Sequence, residues 1–155
     1  SKETSENLDR VWAHYNALHA ALAGDDFGRA KIASAALRKV TGVLGEAEVP
    51  EFGKQPWITL STALVDATGK LESASDIAGA RAEFERISIA TEAALRVLGS
   101  TMPMRIMHCP MAFDGRGARW LQNSEKLLNP YFGASMLRCG STIEVLNPRG
   151  NSSGE

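Results

Sequence analysis

Sulfur is scarce in this sequence and absent from its first hundred residues: the 2 cysteines and 5 methionines of the 155-residue chain all fall between Met102 and Cys139. Methionine ordinarily fills gaps throughout a core, so its confinement to one segment points to a local purpose. Long apolar runs are also missing. No window approaches the ~20 consecutive apolar residues of a membrane span, and the charged start Ser1-Lys2-Glu3-Thr4-Ser5-Glu6 has no apolar stretch of the signal-peptide kind. Direct membrane insertion is therefore not expected. Without an initiator methionine, the chain is expected to be a processed form or a piece of something longer.

An excess of either charge is absent as well, with 17 Lys+Arg against 18 Asp+Glu and a formal net charge of -1. Nucleic-acid and anionic-membrane binders announce themselves by basic blocks, and none is present. Catalytic signatures are equally lacking: no Gly-x-Ser-x-Gly, no His-Glu-x-x-His and no dinucleotide fingerprint occurs. Asp114-Gly115-Arg116-Gly117 has the glycines of a phosphate loop but not its Lys-Ser/Thr, and reads as a turn. His14 and His19 are five residues apart, not four, so they do not share a helical face as a ligand pair and read as structural. An enzyme is not expected.

What is present is a hydrophobic fraction of 44%, sufficient for one domain to bury a core without metal or disulfides. Residues 1–7 read as a flexible lead-in. From Leu8 the series Leu8, Val11, Trp12, Tyr15, Leu18, His19 and Leu22 has the i, i+3, i+4, i+7 spacing of one buried helical face, ended by Gly24. Asp25 and Asp26 cap a second helix with Phe27, Ala30, Ala33, Ala36, Leu37, Val40 and Leu44 inward. The loop from Gly45 to Pro56 leads to a third helix that begins near Pro56 or Trp57 and carries Leu60, Leu64 and Leu71. Ser75-Asp76 caps a fourth, with Ile77, Ala80, Arg81, Phe84, Ile87, Thr91, Leu95 and Leu98 on one face and Gly99 at its end. The expected fold is mainly α, an up-down-up-down four-helix bundle over residues 8–98.

After Gly99 the period changes. Residues 102–109 and 141–146 alternate like two short strands that pair with each other, and between them lie a glycine-rich loop and the turn Asn129-Pro130-Tyr131-Phe132-Gly133. Residues 102–146 therefore form a small cap within a single domain of residues 8–146, and the polar stretch 147–155 reads as a disordered tail. Trp120 reads as a core or lid aromatic. In extended chain Met107, Cys109 and Met111 share a face, with His108 turned away unless the strand breaks there. A helical turn over 134–139 places Met136 and Cys139 on one face. Thiolate and thioether together form a soft set suited to Cu(I) or Ag(I), with Cys109, Met111, Met136 and Cys139 as candidate ligands and His108 as a further one. The alternative is a Cys109–Cys139 disulfide, closing a loop of about 30 residues and contributing roughly 3–4 kcal/mol. Met102, Met104 and Met107 are expected to pack under the end of the bundle.

The run His108-Cys109-Pro110-Met111-Ala112-Phe113-Asp114-Gly115-Arg116-Gly117-Ala118, with Trp120-Leu121-Gln122, Asn129-Pro130-Tyr131-Phe132-Gly133, Met136-Leu137 and Cys139-Gly140, resembles a bacterial family of helical domains of unassigned function. Asp76-Ile77 and the segment from Arg81 to Phe84 are similar to it too, so the likeness covers nearly the whole chain. Members occur alone in exported proteins or at the C-terminal end of periplasmic adaptor (membrane fusion) subunits of heavy-metal efflux pumps of the resistance-nodulation-division class. The resemblance implies a periplasmic or otherwise exported location, efflux-system proteins as partners and a part in copper or silver handling. Cys109, Met111, Met136 and Cys139 match the family's sulfur motif. Many members also carry a histidine in the third helix, whereas residues 57–71 here have none.

Overall fold

The computed structural model describes residues 2–45 and 48–148, with side chains from residue 5 onward. Four long helices form: α1 (Lys2–Ala23), α2 (Phe27–Val43), α3 (Lys54–Glu72) and α4 (Ile77–Leu98). The apolar spacing holds in each, because Leu8, Val11, Trp12, Tyr15, Leu18 and Leu22 of α1 are buried, as are Ala30, Ala33 and Leu37 of α2. Trp57, Leu64 and Leu71 of α3 and Ala80, Phe84, Ile87, Leu95 and Leu98 of α4 complete the core. The Asp26 carboxylate accepts from the Arg29 N–H at 2.9 Å and the Asp76 carboxylate from the Gly79 N–H at 2.9 Å, so both caps are in place. Pro56 sits in the first turn of α3, where its missing N–H leaves no intrahelical bond unmade. Gly99 ends α4 at φ 73°, a left-handed conformation.

One boundary differs from expectation. Residues 2–7 are helical rather than a flexible lead-in, since Leu8 anchors this turn in the core and Glu6 adds negative charge near the helix N-terminus. Ser1 and residues 149–155 of the expected tail lie outside the described residues, as do residues 46–47 of the first long loop.

α1 packs on α2, α2 on α3 and α3 on α4. A three-stranded antiparallel sheet follows, in the order β2-β1-β3, from β1 (Met104–Cys109), β2 (Ala118–Gln122) and β3 (Ser141–Leu146). β1 pairs with β3 as expected, from Met104 opposite Leu146 to His108 opposite Ser141. It also pairs on its other edge with β2, from Arg105 opposite Gln122 to Cys109 opposite Ala118, and this strand was not expected. The reason is burial on both faces: Ala118, Trp120, Leu121 and Gln122 are all buried, so no alternation exists to be read. β2 packs against α4 and α1, and so seats the sheet on the helices.

Tyr15 and His19 of α1 fasten this seat. The Tyr15 ring stacks on Phe84 at 5.2 Å between centroids, and its hydroxyl meets Ser88 Oγ at 2.7 Å while accepting from the Leu121 N–H at 3.0 Å. His19 is buried, with Nε2 2.7 Å from the Leu128 carbonyl oxygen. Burial pushes its imidazole down from 6.5 to about 4. The unfolded chain therefore takes up a proton as pH falls through 6.5 whereas the folded chain does so only near 4, and stability fully present above pH 6.5 is lost between those values. The loss attributable to His19 is about 3 kcal/mol. Urea unfolding of His19→Gln, compared with the wild type at pH 7 and pH 4.5, is expected to show a flatter pH dependence in the variant; equal slopes refute the assignment.

Candidate functional site

The sheet register brings the two cysteines together. Cys109 is the last residue of β1 and lies opposite Ala118, while the neighbouring His108 lies opposite Ser141, the first residue of β3. The chain entering β3 must pass beside Cys109 through Cys139 and Gly140. The two sulfurs are 3.5 Å apart although thirty residues separate them, and both are free thiols. Cys109 is fully buried and Cys139 half-buried.

Backbone geometry allows this approach at one glycine. Gly140 has φ 129°, and a Cβ there would stand 2.6 Å from the His108 carbonyl oxygen and 3.3 Å from the Trp120 ring. Asn129, fully buried, organises the loop before it. Its Oδ1 accepts from the N–H groups of Tyr131 at 2.8 Å and Phe132 at 3.2 Å, and its Nδ2 donates to the Cys139 carbonyl at 2.8 Å. The Asn129 N–H donates to the Leu137 carbonyl at 2.8 Å, and the Gly133 N–H to the Asn129 carbonyl at 3.0 Å. One side chain thus holds both ends of the 129–139 turn.

That turn is clamped to the helices by Asp25 and Arg81. Asp25 was expected to help cap α2, but only Asp26 does so. At φ 56° Asp25 turns away, to accept from the Ala134 N–H at 2.8 Å and from Arg81 at 2.8 Å. These two bonds, the Ala134 one first, hold its carboxyl below the ordinary range. Arg81 also donates to the carbonyls of Leu22 at 2.8 Å and Pro130 at 2.7 Å. Gly133, at φ 60°, lies so close against the Asp25 carboxylate that no side chain fits there.

The remaining candidates are placed differently. Met111 does not share the strand face of Cys109: β1 ends at Cys109, and Met111 adopts φ -89°, ψ -12° at the head of a short turn (Ala112–Gly115), with its side chain 53% exposed. Pro110 breaks the alternation on which the expectation rested, since it cannot extend the ladder. The Met111 backbone, however, lies near the Cys139 sulfur. Met136 ends a 3-10 turn (Gly133–Met136), half-buried, and its carbonyl accepts from the Cys139 N–H at 3.1 Å. Met104 and Met107 are buried and Met102 packs partly buried against the same core, as expected of gap-fillers. His108 is half-buried with Nε2 over Gly117. Among the described residues no three His, Cys, Asp or Glu side chains converge as a metal-binding group.

Desolvation, reinforced by the neighbouring Cys109 sulfur, pushes the Cys139 thiol above its usual range. A thiol pair of this kind can bind a soft cation with proton release, or lose two electrons and form a bond. Asn129, Gly140 and the Asp25–Arg81 clamp escaped sequence reading. Asn-Pro and the isolated glycines marked turns, but not what each turn touches.

Gly140→Ala is expected to lose about 2 kcal/mol or more in urea unfolding, from strain plus the clash with His108. Gly115→Ala, at φ 85° with nothing within 4 Å of a new Cβ, is the control for strain alone and is expected to lose less. Equal losses would show that close approach at Gly140 is not the constraint.

No curated protein and no solved structure matches the chain. Residues 11–102, more than half of the sequence, match the family described as "Protein of unknown function (DUF3347)", an uncharacterised helical domain. The match stops at Met102, before either cysteine. The helices that end in Gly99 therefore carry the kinship, and the chain belongs to this DUF3347 family of unknown function.

Proposed function

We propose that this is an exported binding module, not an enzyme, whose four helices form an up-down-up-down bundle and whose residues 102–146 form a Cys/Met cap that holds Cu(I) or Ag(I). Cys109 and Cys139 are the principal ligands and Met136 a weaker third. The module passes its ion to protein components of a heavy-metal efflux system, in keeping with the resemblance of its Cys/Met motif to domains of periplasmic efflux adaptors. The observation that carries this reading is the 3.5 Å separation of two thiols in a segment holding all the sulfur of the chain.

Metal–sulfur bonds of about 2.3 Å let two sulfurs at 3.5 Å share an ion in a bent arrangement, open on one side to a third donor. Thiolates are charged and soft, so they supply most of the affinity; thioethers add softness without charge and tune it. Met136, in the turn just before Cys139, is better placed for this than the exposed Met111. The same separation favours one other reading, a Cys109–Cys139 disulfide that staples the loop, since a modest approach of the sulfurs would bond them.

Competition of the reduced protein with a chromophoric chelator for Cu(I) tests the metal site. Cys109→Ser and Cys139→Ser are each expected to lower affinity by roughly a hundredfold or more, and Met136→Leu by about tenfold. Because both thiols must deprotonate, wild-type affinity is expected to rise with pH. Undiminished binding in either cysteine variant excludes this site, and Zn(II) outcompeting Cu(I) would require a harder set that includes His108.

A further inference from the structure

We infer that Cys109 and Cys139 form a thiol–disulfide exchange site with fixed roles, in which Cys139 receives a small-molecule disulfide and Cys109 closes the bond. The asymmetry of their surroundings carries this. Cys109 is sealed at the end of the central strand β1, fully buried, with Ala118 opposite it on β2. Cys139 is half-buried, and Met111, whose backbone lies near its sulfur, is exposed. A disulfide arriving from solvent therefore meets Cys139 first. Asn129 holds the Cys139 carbonyl, so the sulfur is presented from an anchored backbone rather than a loose end.

The exchange runs in two balanced steps. Cys139 loses its proton to solvent, and its thiolate attacks one sulfur of a low-molecular-weight disulfide of the glutathione type. The S–S bond of that molecule breaks, one half leaves as a thiolate and takes up a proton, and Cys139 carries the other half as a mixed disulfide. Cys109, 3.5 Å away, then loses its proton and attacks the Cys139 sulfur, expelling the second half as a thiol. Two protein thiols are oxidised by two electrons, and the small disulfide is reduced to two thiols. The step needs no metal. Only its consequence rests on the proposed function, namely that the oxidised pair has no thiolates left and releases the ion.

The test uses the full chain, reduced and stripped of metal, mixed with oxidised glutathione, quenched with acid at intervals and read by intact-mass and peptide mass spectrometry. The wild type is expected to close to an internal disulfide, with the transient glutathione adduct mapping to Cys139. Cys109→Ser, and Cys109→Ala as a second variant in case the serine is not tolerated in the core, are expected to stop at a stable adduct on Cys139. Cys139→Ser is expected to form an adduct roughly tenfold or more slowly. An early wild-type adduct on Cys109, an adduct that never closes, or equal rates in the two single variants would overturn the assignment. Since no metal is present, failure here leaves the copper titration standing, and failure of that titration leaves this result standing.

Discussion

The architecture depends on one buried hydroxyl. Tyr15 projects from α1 to the place where α4 and β2 meet, bonding Ser88 on one and the Leu121 backbone on the other. A phenol hydroxyl taken out of water without partners destabilises a fold by several kcal/mol, so the Tyr15 position demands both neighbours and orients them. Its ring begins an aromatic series: Tyr15 stacks on Phe84, Phe84 lies 5.9 Å from Tyr131, and Tyr131 meets Phe113 and Trp120 edge-on at 5.4 and 6.0 Å. The Tyr131 hydroxyl donates to the Arg119 carbonyl at 2.5 Å, which returns the series to β2. Burial pushes the pKa of both phenols up, so both hydroxyls stay neutral. With β2 seated in this way, β1 and β3 follow, and the cysteine pair follows from β1 and β3.

Ion pairs frame the same contact without carrying it. Arg96 bridges Glu92 on its own helix to Glu144 on β3, Arg119 reaches Glu92 from β2, and Arg116 pairs with Glu85. These guanidinium groups are substantially exposed, and such pairs contribute little each. The Asp25–Arg81 pair differs in kind, because Arg81 is largely buried and spends its other donors on the Leu22 and Pro130 carbonyls. Losing Arg81 would take the guanidinium donor from the Pro130 carbonyl and leave the Leu22 carbonyl only the Asp25 N–H, whereas losing a rim pair returns two charges to water.

Much of the fold was legible because helices declare themselves through a face. Leu8, Val11, Trp12, Tyr15, Leu18 and Leu22 recur at helical spacing, and Asp26, Asp76 and Gly99 mark ends by side-chain oxygens or the lack of a Cβ. β1 and β3 were legible as a pair, since each alternates and neither could satisfy its backbone alone. β2 was hidden by being buried on both faces. Of the candidate site, the cysteines could be singled out by the confinement of sulfur, but Met111 was misplaced by reading the strand through Pro110. Asn129 was visible only as part of a turn, because its bonds run to Cys139, ten residues on, through loop geometry that no periodicity encodes.

By itself, then, the order of residues determined four amphipathic helices, their caps, two of three strands and the segment in which sulfur collects, all of them properties of neighbours within a few turns of chain. Tertiary structure alone decided that Cys109 and Cys139 touch, that one is sealed and the other half-open, and that Asp25 leaves its own helix to hold the Ala134 N–H. The physical reason is range. Periodicity and capping act over three or four residues, whereas the thiol contact spans thirty and arises only once the β1–β3 register, the left-handed Gly140 and the Tyr15 seat coincide.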